Sequence, residues 1–310
     1  MPAHFDVNAV ELVEFGVGLD ERSGQRYVQV PIDSEIQVAL REMVIATRDE
    51  LKAAGDAATY DPGEKYASQE NLRLPLDSEL ASNVMKIHEA TNLPSEPKAL
   101  SDPAEVFCYF ARMRDNKGRR LTAIRRATSF KGVLKSRLLR FTTDALTIVP
   151  DKIFKLDTDF DLLIDDTGIQ VLRSSGFEFV GALEGAVLGA VKKNVKAVRV
   201  DLPFIDFDPI ESFASHHPRA ARYLASIRTQ QETKNIDKTN LKNLCQRTGV
   251  NVTELKGKLR VQDGSIMDFL GVLDRRLYEV ELIKGQPEPF RAASRSRIGN
   301  VSGGQSAVSK

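Results

Sequence analysis

The chain has 310 residues, of which 42% are hydrophobic and 28% charged, and its formal net charge is +1. This composition is typical of a folded protein, and the length suits two domains or one large α+β domain. No apolar run approaches the roughly 18 residues of a membrane span, and the first residues show no secretory signal. Cys108 and Cys245 are the two cysteines, which excludes a disulfide framework and a cysteine-rich zinc site. We therefore expect a cytoplasmic protein.

The N-terminal third is predicted to be a small acidic α/β region. Alternating apolar residues predict strands at 10–20 and 26–33, and helical periodicity predicts helices at 34–54 and 79–91. The segment between the two helices, 55–78, lacks periodicity and contains Gly, Asp and Pro. It is therefore predicted to be a long surface loop.

A connector with three prolines at residues 92–104 is the predicted main boundary between domains. Residues 1–104 would form the acidic region, and 105–290 a basic domain of a β-meander plus helices. The Ser- and Gly-rich residues 291–310 are predicted to be a flexible tail. Residues 1–110 have a net charge of −11, so this part is not expected to bind a polyanion directly.

The segment 111–140 is strongly basic. It contains one acid, Asp115, and its net charge is +10. Its eleven cationic residues are Arg112, Arg114, Lys117, Arg119, Arg120, Arg125, Arg126, Lys131, Lys135, Arg137 and Arg140. Such a concentration is typical of a surface that binds a polyanion, most often nucleic acid, and the alternative is a solvated face balanced by acidic neighbours.

The first part of the basic segment is predicted to be a β-hairpin. Strands at 106–114 and 119–127 flank a turn at 115–118 that has glycine in its last position. Because side chains alternate between the faces of a strand, Arg112 and Arg114 share one face. Antiparallel pairing would bring like charges opposite each other, which destabilises a hairpin unless an anion lies over them. We therefore interpret the eleven cations as nucleic-acid-binding residues.

The remaining chain is predicted to continue as a β-meander and then to become helical. Short strand-like runs separated by turn residues extend over 144–180. The later predicted elements are helices at 181–198, 208–214, 217–230, 237–248 and 264–273 and strands at 258–262 and 277–284. The predicted fold class is therefore α+β, with an antiparallel meander and packed helices after the acidic N-terminal region.

Acidic residues in the meander raise the alternative of a metal-dependent nuclease. The candidates are the alternating Asp157, Asp159 and Asp161 and the adjacent Asp165 and Asp166. Such a site needs an acid followed two residues later by a lysine on the same strand, so that both side chains point the same way, and none of these acids is followed by a lysine at that spacing. Turn and strand-end positions explain the acids more simply. Phosphate-loop, dinucleotide and serine-nucleophile motifs are absent, so we expect no enzymatic activity, metal or cofactor.

Other motifs carry weaker alternatives. Adjacent His216 and His217 have no Cys or His at metal-ligand spacing, which favours a capping or surface role. His88 also lacks such a partner, which favours a structural or solvent-facing role. Residues 241–260 weakly resemble a helix-turn-helix with Gly249 in the turn, but we interpret them as an ordinary helix pair.

Two stretches of the second half have a distinctive pattern. FKLDTDFDLLIDDTGIQVLRSSGFEFV, at 154–180, places Phe-Asp before one apolar strand and Phe-Glu after another. KLRVQDGSIMDFLGVLDRRLYEVEL follows at 258–282. Together they resemble the family defined by KwaB, a component of the Kiwa antiphage-defence system. The resemblance covers about 105–285 and rests on this pattern, without a catalytic signature.

The resemblance implies a cytosolic DNA-binding effector that works with a membrane-embedded partner, KwaA, without established hydrolytic chemistry. It transfers no individual DNA contacts, so the candidate residues rest on the basic segment alone. Our leading hypothesis is sequence-independent DNA binding through phosphates, with recruitment to the inner membrane through the partner. The opposite charges of the two regions also favour a homodimer. The alternatives are a protein-interaction module whose basic segment docks an acidic protein, and a metal-dependent nuclease that uses the Asp clusters.

Overall fold

The computed structural model contains two compact units. The residues that it describes are 5–21, 24–96, 105–127, 139–141, 146–148, 154–230, 232–284 and 286–292. The first unit comprises Met1–Pro62 and Tyr66–Ala186, and the second comprises Gly63–Lys65 and Val187–Lys310. The units therefore divide after residue 186, whereas the main boundary expected from the sequence lies at residue 104.

The fold is α+β, and an eight-stranded open sheet forms the centre of the first unit. The strands of this unit are β1 (Val10–Glu21), β2 (Gly24–Val30), β3 (Ala58–Thr59), β4 (Leu72–Leu74), β5 (Val106–Asp115), β6 (Arg120–Arg126), β7 (Leu139–Phe141), β8 (Leu146–Ile148), β9 (Leu162–Asp165) and β10 (Gly168–Val171). The sheet order is β2-β1-β5-β6-β9-β10-β4-β3, and β7 pairs separately with β8. Only β3 and β4 are parallel among the described pairs. Because β1 pairs with β5, the acidic N-terminal residues and the basic hairpin share one sheet.

Helices cover both faces of this sheet. The helices of the first unit are α1 (Ser34–Ala53), α2 (Ser82–Glu89) and α3 (Ser174–Val180), and α4 (Glu184–Gly189) begins in the first unit and ends in the second. On one face, Val44 of α1 belongs to the same buried cluster as Tyr109 of β5. On the other face, Ile87 of α2 belongs to the same cluster as Phe110 of β5. Strand β5 is therefore buried on both sides, which accounts for its nearly continuous apolar sequence.

Most local predictions for the first unit are confirmed. Asp33 begins α1 as its N-cap, because its carboxylate accepts a hydrogen bond from the Ile36 amide at 2.9 Å. The segment 55–78, predicted as a loop, instead contributes two short strands to the sheet. The confirmed elements are the strands at 10–20 and 26–33, the helices at 34–54 and 79–91 and the hairpin over 106–127.

The prediction for residues 174–180 is wrong. The alternating sequence predicts a turn and a strand, but the segment is helix α3. Phe177 and Val180 are buried, while Phe179 is 42% exposed. Burial at a three-residue spacing is typical of a helix, whereas a strand would bury Phe177 and Phe179 on the same face. The last strand of the predicted meander is therefore β10.

The second unit is mainly helical. Its elements are α5 (Val191–Asp201), α6 (Asp208–Ala214), α7 (Pro218–Arg228), α8 (Lys238–Arg247), β11 (Val252–Leu255), β12 (Lys258–Val261), α9 (Ile266–Leu273), β13 (Leu277–Ile283) and β14 (Gln286–Arg291). The helix predicted at 181–198 divides into α4 and α5, and β11 and β14 were not predicted. The other predicted elements of this unit are confirmed. In the described parts of both units, no helix combines the length and the apolar character needed to cross a bilayer.

A β-hairpin follows α8 where the sequence predicted a helix pair. Strands β11 and β12 are antiparallel, with Leu255 opposite Lys258. Lys256 and Gly257 connect them with φ values of +50° and +79°. Two consecutive positive φ angles are typical of the two-residue turns that match the twist of a hairpin. Residues 241–260 are therefore neither a helix-turn-helix nor a helix pair.

Candidate nucleic-acid interface

The β5–β6 hairpin carries the first seven cations of the basic segment. In its antiparallel register, Arg114 lies opposite Arg120, and Arg112 lies opposite Thr122. Side chains alternate along both strands, so the cations divide between the two faces of the sheet. Arg112, Arg114 and Arg120 share the face of Thr122, which α2 covers, whereas Arg125 points to the face covered by α1. The hairpin therefore does not present all its charges to one surface.

Four cations of the hairpin are exposed, namely Arg114, Lys117, Arg120 and Arg126. Within the described ranges, none of these four side chains forms an ion pair. Arg114 and Arg120 are direct neighbours across the ladder, where like charges repel each other. These four side chains are therefore the ones on the hairpin that are available to an anionic ligand.

Two other arginines of the hairpin are paired with acids of the same unit. Arg112 donates from Nη2 to Glu14 Oε2 at 2.7 Å and from Nη1 to the carbonyl of Ala90. Arg119 Nη2 lies 2.6 Å from Asp115 Oδ2. Both guanidinium groups are largely shielded from solvent, which makes these pairs part of the folded framework.

The buried carboxylate of Asp115 organises the turn of the hairpin. It accepts hydrogen bonds from the amide of Asp6 at 3.2 Å and from the amides of Lys117 and Arg119 at 3.0 Å each. Burial alone would raise the pKa of Asp115, but the side-chain and backbone hydrogen bonds outweigh it and lower the pKa to about 2. The one acid of the basic segment therefore stabilises the turn that presents Lys117.

Arg125 lies in a buried network of acids. Its Nη1 lies 2.8 Å from Asp161 Oδ1 and 3.1 Å from Asp159 Oδ1, and its Nε lies 3.2 Å from Asp157 Oδ2. Arg173 closes the network, since its Nη2 donates to Asp159 Oδ2 at 2.8 Å. The Arg125 side chain is only 15% exposed. Its charge is thus neutralised inside the first unit, although the sequence pattern placed it among the DNA-binding residues.

The carboxylates of this network are occupied by protein donors. The second oxygen of Asp161 accepts the backbone N–H of Arg126 at 2.8 Å. Burial raises the pKa of Asp161, and the nearby Arg125 opposes this shift. Within the described part of the chain, no group of three or more His, Cys, Asp and Glu could hold a metal ion. Asp157, Asp159 and Asp161 therefore have a structural role in the first unit, because each accepts a hydrogen bond from Arg125.

Arg126 lies over an exposed aromatic ring at the other end of β6. Its guanidinium carbon is 3.9 Å from the ring centroid of Phe179 on α3. The Phe179 ring packs in turn at 6.5 Å from the ring of Phe107. A guanidinium over an exposed ring is a modest cation–π interaction, and such a pair can stack against a base. This end of β6 therefore combines positive charge with an aromatic surface.

A polar cavity lies beside Arg114 and Arg120, with a volume of about 220 Å³. Its polar lining includes Glu14, His88, Thr91, Arg112, Arg114, Arg120 and Thr122. His88 is buried and its Nδ1 lies 2.9 Å from the Thr122 hydroxyl. Burial lowers the pKa of His88, and the positive charge of Arg120 lowers it further. The imidazole is therefore held neutral against the wall of a positively charged cavity.

Four of the eleven predicted site residues lie beyond the hairpin. Lys131, Lys135 and Arg137 are outside the described residues, and Arg140 lies in β7. Sequence reasoning did not assign His88 to a site, because no local pattern shows that the end of α2 lies beside β6. It also missed Phe179, since residues 177–180 were predicted to be the last strand of the meander.

The adjacent histidines of the second unit have local partners. Both are exposed. Nδ1 of His216 lies 3.0 Å from the Ser212 carbonyl oxygen, and Nδ1 of His217 lies 2.7 Å from that of Phe213. The His217 ring also stacks on the Phe213 ring, with centroids 3.8 Å apart. These contacts fit the surface role that the sequence favoured.

Comparison with known proteins identifies one family. A family model described as Kiwa protein KwaB-like matches residues 105–282, which is more than half of the chain. The matched range begins just before β5 and ends in β13, so it includes the basic hairpin, the acid network and most of the second unit. Neither the curated proteins nor the solved structures yield a match.

Proposed function

We propose, from the premise that this chain belongs to the Kiwa protein KwaB-like family, that it is an effector that holds DNA through its phosphates. Family membership makes it a component of Kiwa antiphage defence. The proposed step is non-enzymatic: the exposed cations of the β5–β6 hairpin bind the backbone without reading the base sequence.

The observation that carries this proposal is the set of four exposed cations without an acidic partner among the described residues: Arg114, Lys117, Arg120 and Arg126. The acids around the hairpin neutralise other arginines, namely Arg112, Arg119 and Arg125. Unpaired like charges opposite each other on neighbouring strands destabilise the sheet, and solubility alone does not require this arrangement. Phosphates would supply the missing counter-charge.

DNA binding through phosphates weakens with salt concentration by a calculable amount. Each neutralised phosphate lowers the logarithm of the binding constant by about 0.9 per tenfold increase in salt. Four contacts per chain would therefore give a slope of roughly −3 to −4. Binding to a covalently closed circular plasmid, measured across a salt series by gel shift, tests this slope. Tight binding whose affinity does not change with salt concentration, or no binding at low salt, would contradict the proposal.

A matched pair of variants separates the hairpin from general positive charge. Arg114→Gln/Arg120→Gln removes two exposed cations of the hairpin, and Lys192→Gln/Lys196→Gln removes two exposed cations of α5. We expect the first double variant to weaken plasmid binding and to reduce the salt slope by about two phosphate contacts. The α5 variant keeps the slope of the parent chain. Equal losses in both variants would mean that the hairpin is not the interface.

We further propose that the chain acts in the cytoplasm and is recruited to the inner membrane by a membrane-embedded KwaA-like partner. The membership of the chain in the KwaB-like family supports this proposal. None of the described helices could span a bilayer, so attachment to the membrane would have to come from the partner. Co-expression with the gene for such a partner should move the chain from the supernatant to the membrane fraction. Equal amounts in the membrane fraction with and without that gene would contradict it.

A second candidate is a protein-interaction module, in which the hairpin docks an acidic protein or a second copy of this chain. The Glu14–Arg112 pair favours it, because acids of the N-terminal region already bind the basic segment within one chain. Light scattering of nucleic-acid-free protein tests this candidate. A homodimer that dissociates in high salt and is lost in Arg114→Gln/Arg120→Gln would support it over DNA binding.

A further inference from the structure

The cavity beside Arg114 and Arg120 has an unusual balance of charge. Glu14 in its wall is neutralised by Arg112, at 2.7 Å. Arg114 and Arg120 also line the cavity, and neither forms an ion pair with another described residue. With His88 neutral, the wall therefore carries two uncompensated positive charges. A ligand with two negative charges would balance them.

The size and the donors of the cavity limit the ligand further. A volume of about 220 Å³ corresponds to about seven water molecules and lies below the range of ordinary small-molecule pockets. The hydroxyls of Thr91 and Thr122 add hydrogen-bonding groups to the wall. A small oxyanion fits this volume and accepts hydrogen bonds from these groups.

We propose that this cavity binds a phosphomonoester group, held between the guanidinium groups of Arg114 and Arg120. A phosphomonoester group is a dianion attached to the rest of its molecule through a single ester bond, so it can enter a small cavity from one side. A phosphodiester carries one charge and continues in two directions, which fits this cavity less well. Ala90 and Thr91, which directly follow α2, form one wall, and Leu12 and Glu14 of β1 form another.

Two sources share this chemistry: the terminal phosphate of a DNA strand and a free phosphate compound such as a mononucleotide. The inference rests on the proposed function only for the first source, because a free phosphate would bind without DNA. Inorganic phosphate is the simplest probe of the shared chemistry. Duplexes with and without a terminal phosphate separate the sources.

The first experiment is calorimetric titration of the full chain with inorganic phosphate. The pH is kept at about 8, because the second pKa of inorganic phosphate lies about one unit above the value of about 6 for a phosphomonoester, and the ionic strength is held constant with chloride. We expect saturable binding. Arg114→Gln and Arg120→Gln should each weaken it about tenfold or more, since each removes a charge-assisted contact.

The matched control is Lys192→Gln, which removes an exposed positive charge of α5 and lies outside the cavity. It should bind phosphate as the parent chain does. Thr91→Glu, at an exposed position of the lining, is a second test: the added negative charge should abolish binding without touching the core. The proposal fails if the parent chain gives no more heat than the chloride blank. It also fails if Lys192→Gln weakens binding as much as Arg120→Gln.

The second experiment compares one short duplex with 5′-phosphate and with 5′-hydroxyl ends. A preference for the phosphorylated duplex that Arg120→Gln abolishes assigns the cavity to a DNA strand end. Equal binding of both duplexes, together with binding of inorganic phosphate, assigns it to a free phosphate compound. Equal binding of the two duplexes, together with no binding of inorganic phosphate, overturns the proposal. Circular plasmid has no strand ends, so its binding reports on the proposed function independently.

Discussion

Arg125 and Asp161 form a buried ion pair, with Nη1 of the arginine 2.8 Å from Oδ1 of the aspartate. The pair joins β6 to the residue that leads into β9, and the same carboxylate accepts the Arg126 backbone amide. Arg125 therefore connects two neighbouring strands electrostatically, while the residue beside it in sequence is exposed. Adjacent cations of one basic segment thus have opposite roles.

This difference predicts unequal effects on stability. Arg125→Gln would leave Asp157, Asp159 and Asp161 with less compensation inside the first unit. Breaking a buried pair by removing one partner costs roughly 3 to 5 kcal/mol, and we expect a loss of that order in urea unfolding. Arg126→Gln is the control, with an expected loss of about 1 kcal/mol or less from its contact with Phe179. Similar losses in both variants would show that the acid network is not a determinant of stability.

A close contact predicts that Gly176 of α3 cannot be replaced. A Cβ at this position would lie 2.1 Å from Asp161 Oδ2 and 2.2 Å from its Cγ. Gly176→Ala should therefore displace Asp161 and lower the midpoint of thermal unfolding. Gly185→Ala in α4 is the matched control, since a Cβ added there would have no atom within 4 Å, and it should leave the midpoint unchanged or slightly higher. Tolerance of Gly176→Ala with an unchanged midpoint would contradict this contact.

The lowered pKa of Asp115 predicts that the folded chain loses stability in acid. Its pKa is lowered to about 2 in the folded chain, against an ordinary value of 3.8. The Asp115 carboxyl group therefore binds a proton more weakly in the folded state than in the unfolded state. The contribution of ionised Asp115 to the free energy of unfolding is complete above about pH 4 and is lost as the pH falls towards 2. Urea unfolding of the parent and of Asp115→Asn at several pH values should show curves that converge over this window. A difference that stays constant down to pH 2 would contradict the assigned pKa.

The cavity predicts a linkage between His88 and Arg120. The pKa of His88 is lowered by burial first and then by Arg120, while Glu89, Asp165 and Asp166 raise it. A folded pKa below the ordinary 6.5 means that His88 supports stability above that pH and that this support is lost as the pH falls below it. In Arg120→Gln the His88 pKa should rise, as measured by NMR titration of its ring protons. Arg126→Gln should leave the titration unchanged, and an equal shift in both variants would contradict the linkage.

The local part of the fold is predictable from the sequence. Helix α1 is capped by Asp33 and repeats its apolar residues at helical spacing, and the β5–β6 hairpin alternates around a turn that ends in Gly118. Both signals lie within a few residues, where propensity and periodicity act directly. Helix α3 was not predictable in this way, because its short sequence alternates like a strand while the packing of Phe177 and Val180 selects the helix.

The composition of the site depends on contacts that are distant in the chain. The predicted hairpin indicates that cations meet across its two strands, as Arg114 and Arg120 do in the structure. It does not indicate that Glu14, almost a hundred residues away, neutralises Arg112, or that three aspartates from before β9 surround Arg125. A basic segment in a sequence therefore gives the number of charges, and only the tertiary structure shows which of them face a ligand.

Arg120 and Arg126 lie at opposite ends of β6 and on the same face of the strand. Six residues of extended chain place them about 20 Å apart, at roughly 3.3 Å per residue. Along a DNA duplex, which advances about 3.4 Å per base pair, this separation corresponds to about six base pairs. A duplex that contacts both arginines must therefore be at least that long. The rigid strand between them thus sets a minimum footprint, and oligonucleotides shorter than it can engage only one end.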